Sequence, residues 1–380
     1  FFLNLNHMNK KSFLLSIMLL AMPAMLLANP ITEAKAKQQA AQFLAQRMHS
    51  GARRAPLKGG TNLTLAGQTK GYYAYNIGRG NGFVMMSASD RTQPILGYAD
   101  EGQFNLSNAP QPLKQYVQRL SAIVEAAEQG NAQLAPRKSA AESGVATPVS
   151  VAKNFVPTLV SCRWNQGSPY NLECPKYTDA NGNQQTAATG CVATAMAQIV
   201  YYWKWPKTTT TTMPAYTTNW NNQTVTYPEM APTSFMWDKM SDVYNGNQSQ
   251  ESQQAVAHLM RALGHGAKMG YGPASGANSG NAAAALRDYF GYDKTSFYTS
   301  HDKYTYTEWE DLIYNELAAG RPVLMNGDNS DLTGGHEWVC DGYDGNGLFH
   351  MNWGWGGMCD GYFILTVMFP DQQGIGGSTS

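Results

Sequence analysis

The chain has 380 residues, 43% of them hydrophobic, which allows two packed domains and excludes disorder as the leading description. Lys plus Arg and Asp plus Glu number 27 each and no basic run stands out, so nothing points to a nucleic-acid partner. Only 14% of residues are charged, while Tyr, Asn, Gly and Trp are plentiful, a composition that leans toward an exported protein.

The N-terminus agrees. From Met8, Asn9-Lys10-Lys11 forms a positive region, Phe13 to Leu27 an apolar one, and Leu26-Leu27-Ala28 offers small-residue cleavage options before Asn29. This reads as a secretory signal peptide over 8–28. The apolar run is short for a membrane span and contains Pro23, so no membrane anchor is expected once the signal is removed.

Ala36, Ala40, Phe43, Leu44 and Met48 then make an amphipathic helix. Gly71 to Ile77 and Gly82 to Ala88 are aromatic and β-branched runs joined by Gly78-Arg79-Gly80-Asn81, which predicts a hairpin, with a third strand at Ile95 to Tyr98. Pro112 opens a helix whose face carries Leu113, Tyr116, Val117, Leu120, Val124 and Ala127. Together these form a small α+β unit. Residues 131–150 turn to Ala, Ser, Pro and Gly, a linker by composition and a natural site for proteolytic activation.

Beyond the linker, Trp164 to Asn171 is a polar, turn-rich loop. Val192, Ala195, Met196, Ile199 and Trp203 recur at helical spacing, with Cys191 in the first turn of that helix and off its stripe. Unpaired N–H groups and the macrodipole favour an anion there, which shifts a thiol toward thiolate. Alone, a Cys in an apolar stretch is more often inert core. Four further cysteines, Cys162, Cys174, Cys340 and Cys359, leave an odd count, so at least one thiol lacks an intramolecular partner. Bridges between Cys162 and Cys174 or Cys340 and Cys359 are open options that spacing does not decide.

Lys207 to Pro232 predicts surface hairpins. Ala255, Val256, Leu259, Met260 and Leu263 predict a helix, with His258 solvated off its stripe and His265 a favourable charge at its end. The glycine-rich loop Gly270 to Gly280 has no Lys-Ser/Thr ending, which argues against a nucleotide P-loop. Thr307 to Glu310 reads as a capping box opening a helix through Leu317. Pro322 to Asn326, Trp338 to Tyr343, Leu348 to Asn352 and Tyr362 to Val367 predict strands. Helices followed by strands argue α+β with an antiparallel sheet.

Among seven histidines, His336 is the best partner for Cys191, because it follows Gly334-Gly335 at the start of a strand. Asn352 lies at the end of the next strand, where its amide would accept the His336 ring N–H and fix the tautomer, with Trp353 and Trp355 excluding water. Cys340, His350 and Cys359 lack a fourth ligand and a CxxC spacing, so no metal is expected.

Trp164-Asn165-Gln166-Gly167, Ala188 to Ala195, Gly334-Gly335-His336 and His350 to Gly357 resemble the streptopain family of secreted bacterial cysteine peptidases, interpain among them. The resemblance implies a papain-like α+β catalytic domain behind an N-terminal propeptide that blocks the cleft until cleaved. It implies Cys191 as nucleophile, His336 as general base and acid, and Gln166 as an oxyanion-hole donor beside the Cys191 N–H. Either Asn352 or Trp353 orients the histidine, and Ser279, Gly280 and Gly335 line the substrate cleft. It also implies a further strand beyond the glycine-rich residues 374–380.

The expected organisation is a signal peptide at 8–28, an inhibitory propeptide at 29–130, a linker at 131–150 and the catalytic domain at 151–380. The expected function is a secreted endopeptidase made as a zymogen, working through a thiolate–imidazolium pair without a cofactor. Its expected partners are protein or peptide substrates and its own propeptide. A cysteine acyltransferase of transglutaminase type and a non-catalytic adhesin or binding module are the alternatives.

Overall fold

The computed structural model describes residues 30–49, 62–129, 139–220, 223–328 and 335–365. The expected signal peptide, linker residues 131–138, Gly334 and the C-terminal residues from 366 lie outside them.

Helix α1 (Glu33–His49) buries Ala36, Ala40 and Leu44, one residue per turn, against the strands that follow. Strands β1 (Leu63–Gln68), β2 (Tyr72–Ile77), β3 (Phe83–Ser87) and β4 (Ile95–Ala99) form an antiparallel meander. Strand β1 escapes sequence reading because it is an edge strand whose only buried residue is Leu63, and its apolar alternation stops after the partly buried Leu65. Helix α2 (Gln111–Glu128) starts with Pro112 in its first turn and buries Leu113, Tyr116, Val117, Leu120 and Val124.

The N-terminal unit does not keep a sheet of its own. Strand β4 pairs with β12 (Gly361–Ile364) near the C-terminus, Tyr98 opposite Tyr362 and Gly97 opposite Phe363. The Tyr98 and Tyr362 rings stack at 5.1 Å and 11°. A Cβ on Gly97 would fall 2.4 Å from the Phe363 ring, so glycine is required for this contact. With β9 (Val323–Asp328), β10 (Gly335–Tyr343) and β11 (Leu348–Asn352), the result is one eight-stranded sheet in the order β1-β2-β3-β4-β12-β11-β10-β9.

Two cores form on its faces. One joins the sheet to α1, α2 and α6 (Tyr306–Ala318) and includes Tyr116, Ile313, Trp338, Cys340, Trp353 and Phe363. The other holds α3 (Cys191–Trp203), α4 (Gln250–Gly266) and α5 (Ser279–Asp288), with Val339 reaching it from β10. Short hairpins β5–β6 (Lys176–Thr178, Gln184–Thr186) and β7–β8 (Tyr216–Trp220, Gln223–Tyr227) lie outside the main sheet.

Several local expectations change. The capping box of α6 uses Thr305 with Glu308, two residues earlier than read, and Glu308 also accepts the Ala140 N–H at 3.0 Å. Trp203, placed on the core stripe of α3, is 45% exposed. His265 is buried and bonded to the Pro214 carbonyl at 3.1 Å, and burial lowers its pKa, so it is not a charge on the helix dipole. His258 keeps about a third of its side chain exposed and bridges Glu173 at 2.9 Å and Thr233 at 2.6 Å. All five cysteines are free thiols. No described helix is long and apolar enough to cross a membrane.

Candidate active site

Helix α3 starts abruptly because Gly190 turns the chain with φ 82° and ψ 151°. A Cβ on Gly190 would lie 2.8 Å from the Ser275 carbonyl oxygen and 2.9 Å from Met269 Sδ, so the loop at 270–276 approaches only a glycine. The Thr194 hydroxyl donates to the Gly190 carbonyl at 2.9 Å and ties the first turn down. Helix α3 packs against β10, and this brings Cys191 to the start of that strand, where the Glu337 N–H points at the thiol.

The electrostatics oppose the expected thiolate. Residue Cys191 keeps some exposure, but its thiol is enclosed, and burial followed by the negative charge of Glu337 pushes it up to about 11. Hydrogen bonds from the N–H groups of Glu337, Val192 and Cys191 itself oppose that shift and do not cancel it. Desolvation and a nearby like charge thus outweigh the helix terminus.

His336 is 4% exposed and donates Nε2–H to the Trp353 carbonyl at 2.8 Å. Its ring lies 4.4 Å from Trp355 at 23°, with Trp353 and Trp338 at 6.2 and 6.1 Å. Burial lowers its pKa to about 4. At neutral pH the structure therefore holds a neutral thiol and a neutral imidazole, and among the described residues no hydrogen bond joins them.

The expected bond from Asn352 to the histidine is not made. Asn352 Nδ2 donates to the Cys162 carbonyl at 2.8 Å and its Oδ1 accepts the Gly354 N–H at 3.2 Å, so both ends are occupied by backbone. Trp353 is itself clamped: Asp360 Oδ1 accepts its N–H at 2.9 Å, and the Cys359 carbonyl accepts its indole N–H at 3.0 Å. Tyr116 of α2 packs on it with ring centroids 5.7 Å apart.

The Gln166 carbonyl accepts the Thr189 N–H at 3.0 Å, two residues before Cys191, which fixes this loop beside the helix start. Its side-chain amide makes no hydrogen bond among the described residues. Ser279 opens α5 and donates to Glu337 Oε2 at 2.6 Å; Gly280 N–H bonds its N-cap Asn278 at 2.8 Å; Gly335 is exposed at the start of β10. Two residues of the site escaped sequence reading. Glu337 is next to His336 but reads as an ordinary strand residue, and Asp360 reads as turn chemistry after the Trp-Gly run.

Asp360 faces a second cluster. His350 Nδ1 bonds Asp341 Oδ1 at 2.5 Å, and a cavity of about 910 Å³ lined by Glu101, Arg163, His350 and Asp360, among others, contains neither Cys191 nor His336. No group of three or more His, Cys, Asp or Glu among the described residues is arranged to hold a metal ion.

Comparison with known proteins agrees with this organisation. Residues 164–363 match the Peptidase C10 family and residues 28–124 match the Spi protease inhibitor. Streptopain of Streptococcus pyogenes is 32% identical over 399 residues, covering 97% of this chain and 96% of its own length. The thiol protease/hemagglutinin PrtT of Porphyromonas gingivalis is 31% identical over 97% of this chain, which spans 42% of that longer protein. Among solved structures, the prointerpain A fragment of Prevotella intermedia aligns with TM-score 0.67 and 29% identity over 83% of this chain and 97% of its own. Active interpain A aligns with TM-score 0.52 and 33% identity over 62% of this chain and 96% of its own. An α+β sheet with a Spi-type unit built into its edge and a cysteine at a buried helix start thus has one reading: the chain belongs to the peptidase C10 family, as the zymogen of a streptopain-like cysteine endopeptidase.

Proposed function

We propose that Cys191 is the nucleophile of this endopeptidase and His336 its general base and acid. The observation that carries the assignment is the hydrogen bond from His336 Nε2–H to the Trp353 carbonyl. It fixes the tautomer, so Nδ1 is the nitrogen available to take the thiol proton. Trp353, through its carbonyl, orients the ring, and Asn352 supports the loop by tying it to Cys162. The Cys191 sulfur attacks the peptide carbonyl carbon, the Gln166 amide and the Cys191 N–H stabilise the oxyanion, and His336 returns its proton to the leaving amine. Water deprotonated by His336 then hydrolyses the thioester and restores the thiol.

Residues 29–130 act as the inhibitory propeptide, 131–150 as the segment cut on activation and 151–380 as the catalytic domain, with 8–28 directing secretion. In the inhibited state neither partner is ionised. Loss of the propeptide removes Tyr116 from Trp353 and frees β12 from β4, which opens the aromatic surround of His336 to water and to repositioning against Cys191. Incubating the chain from Asn29 with a reducing agent and an epoxide probe, and following mass, tests this. Loss of an N-terminal fragment with the probe on Cys191 is expected, and Cys191→Ala stays whole and unlabelled. Normal self-processing of Cys191→Ala refutes the assignment.

A further inference from the structure

The face of α3 that carries Cys191 is polar for two turns. Cys191, Thr194 and Gln198 stand at i, i+3 and i+7 and form one stripe on a helix otherwise made of aliphatic and aromatic residues. Thr194 and Gln198 are both fully buried. The Thr194 hydroxyl serves the first turn through the Gly190 carbonyl, whereas the Gln198 amide reaches outside the helix. Its Oε1 accepts the Trp164 N–H at 3.4 Å and lies 3.9 Å from the Cys162 sulfur. Its Nε2 makes no hydrogen bond among the described residues and sits beside Gly354, where an ideal Cβ would be 3.9 Å away.

Packing alone does not account for an amide here. A methionine or leucine would fill the space without enclosing an unpaired donor, which carries a desolvation penalty. What the amide supplies is an acceptor. Trp164 is itself fully buried, so water does not reach its N–H, and Gln198 Oε1 is the acceptor it meets among the described residues. The segment after Trp164 is tied down as well. The Trp164 carbonyl accepts the Gly356 N–H at 2.9 Å, Asn165 Oδ1 accepts the Gln166 N–H at 2.7 Å, and the Gln166 carbonyl accepts the Thr189 N–H at 3.0 Å. The loop bearing Gln166 is thus held just ahead of Cys191, at Thr189, and again two turns along the same helix, at Gln198.

Resting on the proposed roles of Cys191 and Gln166, we infer that Gln198 is a positioning residue for the oxyanion site. By holding the Trp164 backbone it fixes Gln166, two residues on, relative to the helix that carries the nucleophile. The Gln166 amide then meets the oxyanion at hydrogen-bond distance as the Cys191 sulfur attacks. Without the acceptor the buried Trp164 N–H is unpaired, and the loop relaxes to find a partner. A displacement of ~1 Å at a catalytic group lowers rate by on the order of 10²-fold. The loss falls on the transition state, because the oxyanion forms only there.

The test is a double-mutant cycle in the matured enzyme, with active sites counted by epoxide labelling of Cys191. Gln198→Met keeps the length of the side chain and removes the acceptor. It is expected to lower kcat per labelled site about 10- to 100-fold, with KM changed by less than about threefold. Made in Gln166→Ala, the same substitution is expected to lower kcat by less than about threefold, because the donor it positions is already gone. Absent labelling of the parent refutes the role of Cys191, and an unaltered kcat in Gln166→Ala refutes that of Gln166; either removes the inference with the reading beneath it. With both intact, an equal loss in the two backgrounds, or a kcat unchanged by Gln198→Met, overturns the inference alone. Should Gln198→Met fail to mature, amide hydrogen exchange of the uncleaved chain in a Cys191→Ala background decides. Exchange at residues 163–167 is expected to rise about tenfold or more while that of β10 stays as in the parent. Unchanged exchange at 163–167, or a rise throughout the molecule, overturns the inference and leaves Gln198 as a residue of the core.

Discussion

Asp360 links the loop that holds His336 to the fold's response to pH. It is buried between β11 and β12, accepts the Trp353 N–H at 2.9 Å, and is pushed from 3.8 to about 7, chiefly by burial. The neighbouring charges act in both directions: His350 and Arg163 lower it and Asp341 raises it. A displacement of that size corresponds to on the order of 4 kcal/mol between the two protonation states. Because the folded value lies above the unfolded one, between these two values the native protein holds a proton the unfolded chain has released. The contribution is therefore complete below about pH 4 and is lost as pH rises through about 7. Asp360→Asn keeps an oxygen for the Trp353 N–H and removes the ionisation. Relative to its parent it is expected to be ahead by only about 1 kcal/mol at pH 4.5 and to gain roughly 3 kcal/mol of additional stability by pH 8. Urea unfolding of both proteins in a Cys191→Ala background, where self-cleavage is absent, measures this, since titrating groups not coupled to Asp360 cancel in the difference. An equal stability difference at the two pH values, or a growing loss toward pH 8, would show that the carboxylate is not desolvated as argued.

Gln166→Ala in the matured enzyme is expected to lower kcat about 10²- to 10³-fold with a much smaller change in KM; a change confined to KM would place Gln166 in ground-state binding. Gly97→Val directs a side chain into the Phe363 ring, 2.4 Å from an ideal Cβ, and into the Tyr362 carbonyl oxygen at 2.9 Å. It should cost the zymogen roughly 1–3 kcal/mol and speed cleavage of the N-terminal unit by added trypsin, and an unchanged melting temperature would contradict the tight β4–β12 contact. Glu101→Ala removes the ion pair to Arg163 at 2.6 Å across the two units, but with the side chains 68% and 48% exposed the loss should stay below about 1 kcal/mol in thermal unfolding.

Much of the site was legible locally. The helix from Cys191 repeats apolar residues at helical spacing, the strand after His336 carries Trp338 and Val339, and the run from His350 to Gly357 combines aromatics with glycines in a way that few folds require. The propeptide-like unit was visible as a helix, a hairpin and a second helix, because each has a periodic apolar face of its own. Strand β1 was not, since at this sheet edge the apolar alternation is only two residues long, Leu63 and Leu65.

By itself, then, the sequence determined the helices, most of the strands, the candidate thiol and imidazole, and the resemblance that joins them. Only the tertiary structure decided that β4 and β12 merge two units into one sheet, that Trp353 and not Asn352 meets His336, and that Cys191 sits well above the usual thiol range. Periodicity is a property of neighbouring residues, whereas desolvation and charge coupling depend on which distant segments close around a group. Glu337 lies 146 positions from Cys191 in the chain yet faces its sulfur, and the direction in which that thiol titrates follows from the contact.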